Sequence, residues 1–346
     1  GEARVLEERG FKRLLLVLGE DKRWGLEYII DSIKAIYAET GIRIVHVNAP
    51  PMEEGELREL KGAGGGVGLY QAFQETYHRP TYEEFHPSGN KRDYVKRLGV
   101  MDSALRAGFG DVGIGSLLGL YDFRFDVLAT IAHSYYLYQN YGTHAHTISI
   151  PRLRPAKGSA LKEAPYPVSD LELKLIVAVY RLSVPTAGVV ATTRESAGLR
   201  EELTGGGVSQ LSAASRTDPG GYGGRSDGER GLEQFSTSDN RSLEDVMASI
   251  AKSGAVPSLC TACYRVGRTG ESFTEKTGAE EMLDYCEANA LLTLKEYLLD
   301  SRANGTGELF EGTVEKALAG IKEPAIKEKV VLMMKEMEEG KRDLFF

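Results

Sequence analysis

The chain has 346 residues, of which 42% are hydrophobic and 27% are charged, and its formal net charge is −8. This composition is typical of a globular protein with room for one large domain and a smaller one. The negative charge argues against a nucleic-acid partner and against docking on a membrane of anionic lipid, and no apolar run approaches the length of a membrane span. With only three cysteines and no visible signal peptide, a reducing cytoplasm is the expected location.

Short β-rich runs alternate with helical stretches along most of the chain. Seven runs are predicted to be strands: 13–20, 42–49, 66–75, 111–120, 143–152, 187–193 and 208–215. Strands that alternate with helices at this spacing predict βα units and a parallel sheet. The fold class is therefore α/β.

Seven such units favour a (β/α)8 TIM-type barrel whose first βα unit is missing from this chain. The barrel is favoured because polar residues follow successive strands, as the mouth of a barrel requires, and a doubly wound open sheet is the competing interpretation. The chain starts with Gly1, and residues 1–10 resemble the middle or end of a helix. We therefore expect that an N-terminal piece is missing.

A Gly-rich, charged segment at 217–231 is predicted to be a mobile loop or linker. After it, Ser242 and Asp245 have the spacing of a helix N-cap with an acid in the first turn, and the pattern stays helical to the end. The predicted domains are a partial barrel at 1–236 and a small helical domain at 237–346.

The three cysteines stand near the start of the helical region as Cys260-x2-Cys263-x22-Cys286. Three thiolates could hold an iron–sulfur cluster and leave one iron open for another ligand. A zinc site completed by a distant histidine and three unrelated cysteines are the alternatives that the spacing leaves open. Arg265 and Arg268 are expected to lie beside the thiols, where positive charge favours thiolate.

Polar residues on or just after the predicted strands are candidates for a binding site. His146, Arg152 and Arg154 belong to one such strand, but His146 alternates with isoleucines, so the pattern favours a packed core histidine over a ligand. Arg194 and Ser212 follow or lie in neighbouring strands. An arginine with a hydroxyl is a fitting pair for a carboxylate.

Several motifs resemble the HydG family of FeFe-hydrogenase maturases, which are radical S-adenosylmethionine (SAM) tyrosine lyases. The motifs are "FQETYHRPTYE", "HPSGNKRDY", "DVGIG", "HTISIPRLRPA", "SQLSAAS" and "CTACYRVGRTGE". The resemblance runs from about Val5 to about Leu299. The barrel motifs are shared in part with the tyrosine lyase of thiazole biosynthesis, whereas "CTACYRVGRTGE" followed by Cys286 is the discriminating element.

The resemblance implies a radical-SAM barrel and a defined reaction. A first 4Fe-4S cluster would reduce S-adenosyl-L-methionine to a radical that cleaves the Cα–Cβ bond of L-tyrosine to p-cresol and dehydroglycine. The fragment would become carbon monoxide and cyanide at an auxiliary 4Fe-4S cluster, building an iron synthon for the hydrogenase. The implied partners are an electron donor and a hydrogenase-maturation scaffold GTPase, in an anaerobic cytoplasm.

The resemblance also implies roles for individual residues. Arg194 and Ser212 would hold the tyrosine carboxylate, and His146 would ligate a fifth iron, which reverses the preference for a packed histidine. The remaining matches are the auxiliary-cluster ligands Cys260, Cys263 and Cys286, Gly19 and Glu20 at the methionyl amine of SAM, and Glu75, Gly113 and Gly115 lining the cofactor site.

Three departures from the family pattern affect these expectations. No cysteine precedes Cys260, so the Cys-x3-Cys-x2-Cys loop of the first cluster is absent, and we expect this chain alone to be inactive. Segments 95–100 and 286–292 also differ, the first of them at expected cofactor contacts. The alternative functions are the thiazole-pathway lyase, 2-iminoacetate synthase, and a non-catalytic scaffold that binds zinc.

Overall fold

The computed structural model describes the whole chain except residues 22, 155–160, 162, 219, 224–234, 279–281 and 301–304. Most of the predicted Gly-rich loop at 217–231 therefore lies outside the described residues.

The seven predicted strands are all present and form one sheet. Their bounds are β1 Arg13–Val17, β2 Ile44–Asn48, β3 Val67–Gln71, β4 Asp111–Gly115, β5 Thr147–Ser149, β6 Gly188–Ala191 and β7 Gln210–Leu211. They pair in parallel in chain order, from β1 to β7. This order is that of a partial TIM-type barrel, because a doubly wound sheet would reverse its strand order near the middle. The predicted barrel is confirmed.

Helices connect the strands and make up the C-terminal region. In the described part of the chain they are α1 Glu2–Glu8, α2 Leu26–Glu39, α3 Glu54–Lys61, α4 Arg79–Phe85, α5 Tyr94–Leu98, α6 Val100–Arg106, α7 Phe123–Tyr141, α8 Asp170–Ser183, α9 Ala197–Gly205, α10 Leu243–Lys252, α11 Ala262–Arg265, α12 Glu271–Gly278, α13 Met282–Leu299, α14 Gly307–Gly320 and α15 Pro324–Glu338. None of these described helices combines the length and the apolar character that crossing a bilayer requires.

The strands are shorter than predicted, chiefly at their carboxyl ends. There the chain leaves the regular ladder and continues as polar loops, which include the isolated bridges Glu75–Ser116 and Leu118–Arg152. The helical segment before β4 is divided into α5 and α6 around Gly99. The helices α4 and α9 were not predicted.

The barrel core is formed where one face of each helix covers the sheet. Ile29, Ile30 and Ile33 of α2 are buried, as their helical spacing requires, and they belong to one cluster with the strand residues Val45 and Val47. This packing leaves the loops at the two ends of the barrel free to carry polar residues.

The C-terminal helices contain a second hydrophobic cluster. Leu291 and Leu294 of α13, Phe310 of α14 and Val330 of α15 are buried in it. The predicted cap is confirmed, because the Ser242 hydroxyl accepts a hydrogen bond from the Asp245 backbone N–H at 3.1 Å. A separate cluster supports a distinct helical unit, and its boundary at 236/237 stays a prediction.

The C-terminal helices dock on the amino end of the barrel. Glu296 of α13 is buried and binds Lys12 at 2.9 Å and Arg43 at 2.5 Å, the residues just before β1 and β2. A buried carboxylate with two cationic partners fixes the orientation of α13 against these strands. The helical unit and its cysteines therefore lie at the end of the barrel opposite to the carboxyl ends of the strands.

Two glycines of β4 are explained by close packing between strands. A Cβ atom at Gly113 would lie 2.6 Å from Thr147 Oγ1, and one at Gly115 would lie 2.7 Å from the Ser149 carbonyl oxygen. The approach of β5 is therefore sufficient reason for glycine at both positions. The predicted contact of these glycines with a cofactor stays a prediction.

Replacement of Gly115 by alanine should lower the free energy of unfolding by about 1–3 kcal/mol, because the new methyl group meets rigid backbone. The matched control is Gly312→Ala in the interior of α14, where a Cβ atom meets nothing within 4 Å. The control should gain about 0.5–1 kcal/mol from helix propensity. Urea unfolding of both variants measures the difference, and equal stability of the two would contradict the close-packing explanation.

Candidate functional site

Four of the predicted site residues gather at the carboxyl ends of the strands. Glu20 follows β1, Glu75 follows β3, Arg194 follows β6 and Ser212 follows β7. Because all strands run in the same direction, these loops meet at one edge of the barrel, where polar side chains can converge on a ligand. Gly19 precedes Glu20 there, and a Cβ atom on it would meet nothing within 4 Å.

Glu75 is held in an unusual backbone conformation. Its φ is 69°, which is uncommon for a residue with a side chain, and its carbonyl accepts a hydrogen bond from Leu117 N at 2.7 Å. Burial alone would raise the pKa of its carboxyl, but Lys91, whose Nζ lies 2.5 Å from Oε1, and Arg97 lower that pKa below its ordinary value. Glu75 is therefore an ionised acceptor at neutral pH.

Arg97 is a site residue that the sequence reasoning missed. It is buried, its Nη2 lies 2.6 Å from Glu20 Oε1, and its Nη1 donates to the Phe73 carbonyl at 2.9 Å. The departure of segment 95–100 from the family pattern marks this segment as unusual, but it does not indicate which of its side chains contacts Glu20. The side chain fixes the orientation of the Glu20 carboxylate.

Arg194 is a half-buried guanidinium with spare hydrogen-bonding capacity. Burial lowers its pKa to about 10, against the opposing effect of Glu75 and Glu195. The guanidinium stacks on Phe235 at 3.6 Å, Nη1 donates to the Arg152 carbonyl at 3.3 Å, and Nε has no hydrogen-bond partner among the described residues. A charged and incompletely bonded guanidinium suits a carboxylate ligand.

The neighbouring arginines are already neutralised. Glu195 is buried and accepts from Arg152 Nε at 3.0 Å and from Arg154 Nη2 at 3.0 Å, and Arg152 also lies 2.8 Å from Asp170. Of these three arginines, Arg194 is therefore the one with no carboxylate in direct contact in the described part of the chain.

His146 lies at the opposite end of the barrel. It directly precedes β5, whereas Arg152 and Arg154 follow that strand. Its Nδ1 is 3.3 Å from Asp111 Oδ2, and its ring lies 5.7 Å from the ring of Tyr264 and 4.8 Å from that of Phe273. These two atoms do not form a hydrogen bond with each other, but the carboxylate lies on the side of the ring where a second-shell acceptor would leave Nε2 to a metal.

The three cysteines meet beside His146. Cys260 and Cys263 are half-buried, Cys286 is exposed, and all three are free thiols. Partial burial first, and then the charges of the other two thiols, raise the pKa of Cys286 to about 11. The thiols are therefore close enough to interact electrostatically, and Tyr264, directly after Cys263, contacts His146.

Three thiols with a histidine nearby are ligand types that an iron–sulfur cluster can use. Among the residues that the structure describes, no three His, Cys, Asp or Glu side chains converge as the ligands of one ion would. A cluster spreads its irons over a cube, so its thiolates need no common point. The zinc alternative therefore has no preformed site in the described residues.

Of the two arginines expected beside the cysteines, the structure brings one to them. Arg268 hydrogen-bonds to Cys263, and its charge lowers the pKa of Cys260, Cys263 and Cys286 against the effect of burial. Arg265 instead forms an ion pair with Asp343 at 2.6 Å. The expectation for Arg265 is wrong because a nearer carboxylate binds its guanidinium.

The raised thiol pKa values predict slow alkylation of the iron-free protein. At pH 8 little thiolate forms, so iodoacetamide should modify Cys286 more slowly than free cysteine, and the rate should still rise above pH 10. Mass spectrometry of quenched samples measures the rate for each cysteine. Reaction at pH 8 as fast as that of free cysteine would contradict the mutual interaction of the three thiols.

Comparison with known proteins covers the barrel and the cysteine region. A family model described as Biotin and Thiamin Synthesis associated domain matches residues 149–256. The 2-iminoacetate synthase of Escherichia coli is 35% identical over 259 residues, which are 74% of this chain. The chain spans 66% of the length of that relative.

Two solved structures cover nearly the entire chain. A crystal structure of HydG, a maturase of the FeFe-hydrogenase, matches 100% of this chain with a TM-score of 0.94 and 40% identity, and the match covers 75% of that protein. HydG from Carboxydothermus hydrogenoformans matches 96% of this chain and 72% of its own, with a TM-score of 0.82 and 37% identity. On this identity and coverage, the chain belongs to the HydG family of FeFe-hydrogenase maturases.

Proposed function

We propose that this chain forms the body of a radical SAM lyase that cleaves the Cα–Cβ bond of L-tyrosine to p-cresol and dehydroglycine. The fragment is converted to carbon monoxide and cyanide, which build an iron synthon for hydrogenase maturation. The observation that carries the proposal is the pair of sites at opposite ends of one barrel, one with Arg194 and Glu75 and one with three thiols and His146. The match to HydG structures over nearly the entire chain supports it.

The carboxyl end is the proposed site of tyrosine cleavage. When bound there, SAM supplies the radical that breaks the carbon–carbon bond. No cysteine precedes Cys260, so none of the residues present can hold a first 4Fe-4S cluster at this end. Its thiolates would have to come from outside these 346 residues.

The side chains at this end have binding and orienting roles. Glu20 and Glu75 are acceptors for the methionyl amine of SAM, and Arg97 and Lys91 keep these carboxylates in place. Arg194 and Ser212 bind the carboxylate of tyrosine. Because Arg194 is half-buried, its attraction for a carboxylate is screened less by water than at the surface. The barrel wall excludes water from the reacting centre.

The amino end is the proposed site of synthon assembly. Cys260, Cys263 and Cys286 would hold an auxiliary 4Fe-4S cluster, whose three protein ligands would leave one iron free to bind a further group. His146, oriented by Asp111, binds a fifth iron that is the cargo of the reaction. An electron donor and a scaffold GTPase are the proposed partners, in an anaerobic cytoplasm.

The second candidate is 2-iminoacetate synthase, which the 35% identity with the Escherichia coli enzyme favours. The two candidates share the carboxyl-end site and differ in what the amino-end cysteines do. A complete, reconstituted protein that forms p-cresol without cyanide would be the second enzyme.

The two sites predict opposite effects of two substitutions in the complete protein. Arg194→Ala should abolish p-cresol formation, because the tyrosine carboxylate loses the one arginine of Arg152, Arg154 and Arg194 that has no carboxylate partner among the described residues, and both clusters should remain visible by electron paramagnetic resonance. His146→Ala should continue to release p-cresol and should fail to form the iron-bound product.

Chromatography of p-cresol and infrared detection of iron-bound carbon monoxide and cyanide measure the two outcomes. Arg194→Ala turning over at near the wild-type rate would refute the substrate site. Loss of p-cresol in the His146 variant would place that residue elsewhere in the mechanism.

A further inference from the structure

We infer that Arg200 and Asp239 are positioning residues for the carboxylate site, because one buried ion pair joins the two strand ends that carry Arg194 and Ser212. The inference rests on the proposed function, since it concerns the site that would hold the tyrosine carboxylate. Neither residue would touch the substrate.

Arg200 is the first half of this connection. It lies on α9 with 1% of its surface exposed, and one Nη donates to the Asp239 carboxylate. The other Nη donates to the carbonyl oxygen of Ser212. The guanidinium therefore fixes the backbone at the end of β7. This backbone in turn sets the orientation of the Ser212 hydroxyl.

Asp239 is the second half, and its segment holds the loop after β6. The backbone N–H groups of Ser238 and Asp239 donate to the Thr193 carbonyl at 2.8 Å and 3.1 Å. Thr193 directly precedes Arg194. The same segment supplies Phe235, on whose ring the Arg194 guanidinium stacks at 3.6 Å.

A third residue, Arg241, binds the Asp239 carboxylate from the solvent side. Arg241 lies 2.8 Å from Asp239 Oδ2 and 2.6 Å from Glu201 of α9. Asp239 thus binds two arginines, and its carboxylate is needed to compensate the buried Arg200. The spacing between Arg194 and Ser212 depends on this network.

The consequence for the reaction is a selective effect on tyrosine binding. A shift of Arg194 relative to Ser212 weakens the binding of the tyrosine carboxylate equally in the ground state and in the transition state. Such a loss of uniform binding raises KM and leaves kcat nearly unchanged. SAM binding, which uses Glu20 and Glu75 on other strands, is not expected to change.

The test uses Asp239→Asn and Arg200→Lys in the complete enzyme with both clusters reconstituted. Asp239→Asn should raise the KM for tyrosine by about tenfold or more with kcat within about threefold of wild type. Arg200→Lys keeps the positive charge toward Asp239 but lacks a second rigid donor for the Ser212 carbonyl. Its KM for tyrosine should therefore lie between the values of the wild type and of Asp239→Asn.

The matched control is Glu296→Gln, which removes another buried carboxylate with two cationic partners, at the amino end of the barrel. It should lose stability in urea to a similar extent and keep the wild-type KM for tyrosine. Iron content and the equilibrium binding of SAM are measured for every variant, so that folding and substrate positioning are separated.

Each outcome decides the inference. A raised tyrosine KM in both site variants with unchanged SAM binding supports it, including when Asp239→Asn is too unstable and Arg200→Lys alone shows the effect. A wild-type KM in a folded variant, or an equal rise in the Glu296→Gln control, overturns it. A wild-type enzyme that forms no p-cresol refutes the proposed function instead.

Discussion

One buried carboxylate connects the parts of the proposed amino-end site. Asp111 is the first residue of β4 and is 1% exposed. Its Oδ1 accepts a hydrogen bond from Gly270 N at 2.9 Å, at the end of the cysteine segment, and its Oδ2 faces His146 Nδ1 at 3.3 Å. Burying a carboxylate is costly, and here the Gly270 hydrogen bond ties it to the cysteine segment while its second oxygen lies beside the His146 ring without a hydrogen bond. The proposed assembly of an iron product on thiolates and imidazole depends on this arrangement.

The direction of the strands explains why the proposed chemistry is divided. A parallel barrel has two unlike ends, and each loop belongs to one of them. Glu75 and Arg194 follow their strands, whereas Asp111 and His146 stand at the start of theirs. Reactive intermediates of a radical reaction and an iron-bound product would then be kept apart within one protein. The helical unit is anchored to the second end through Glu296.

The fold could be predicted well from the sequence because its signals are local. Apolar periodicity is a property of neighbouring residues, and all seven strands were found from it, with ends that differ where polar loops leave the ladder. The helix α9 was not predicted, although Ser196 caps it, because its nine residues are a short segment between two predicted strands. The site was harder to predict, because its geometry depends on contacts between distant segments.

Particular residues show where this limit lies. The spacing of the cysteines predicted their association, but nothing near His146 in sequence indicates Asp111 or Tyr264 as its neighbours. Arg265 and Arg268 look equivalent in sequence, yet Asp343 binds one of them and leaves the other to the thiols. Arg200 and Asp239 are 39 positions apart, and no local pattern connects them. Long-range ion pairs of this kind are visible only in the folded chain.

The central claim is that the three cysteines hold an iron–sulfur cluster, and metal analysis tests it most directly. The 346-residue chain, reconstituted anaerobically with iron and sulfide, should contain about four sulfides and at least as many irons per chain, since its thiols suffice for one cluster. The triple Cys→Ser variant should contain neither. Zinc without sulfide in the purified protein, or iron and sulfide that persist in the triple variant, would contradict the account.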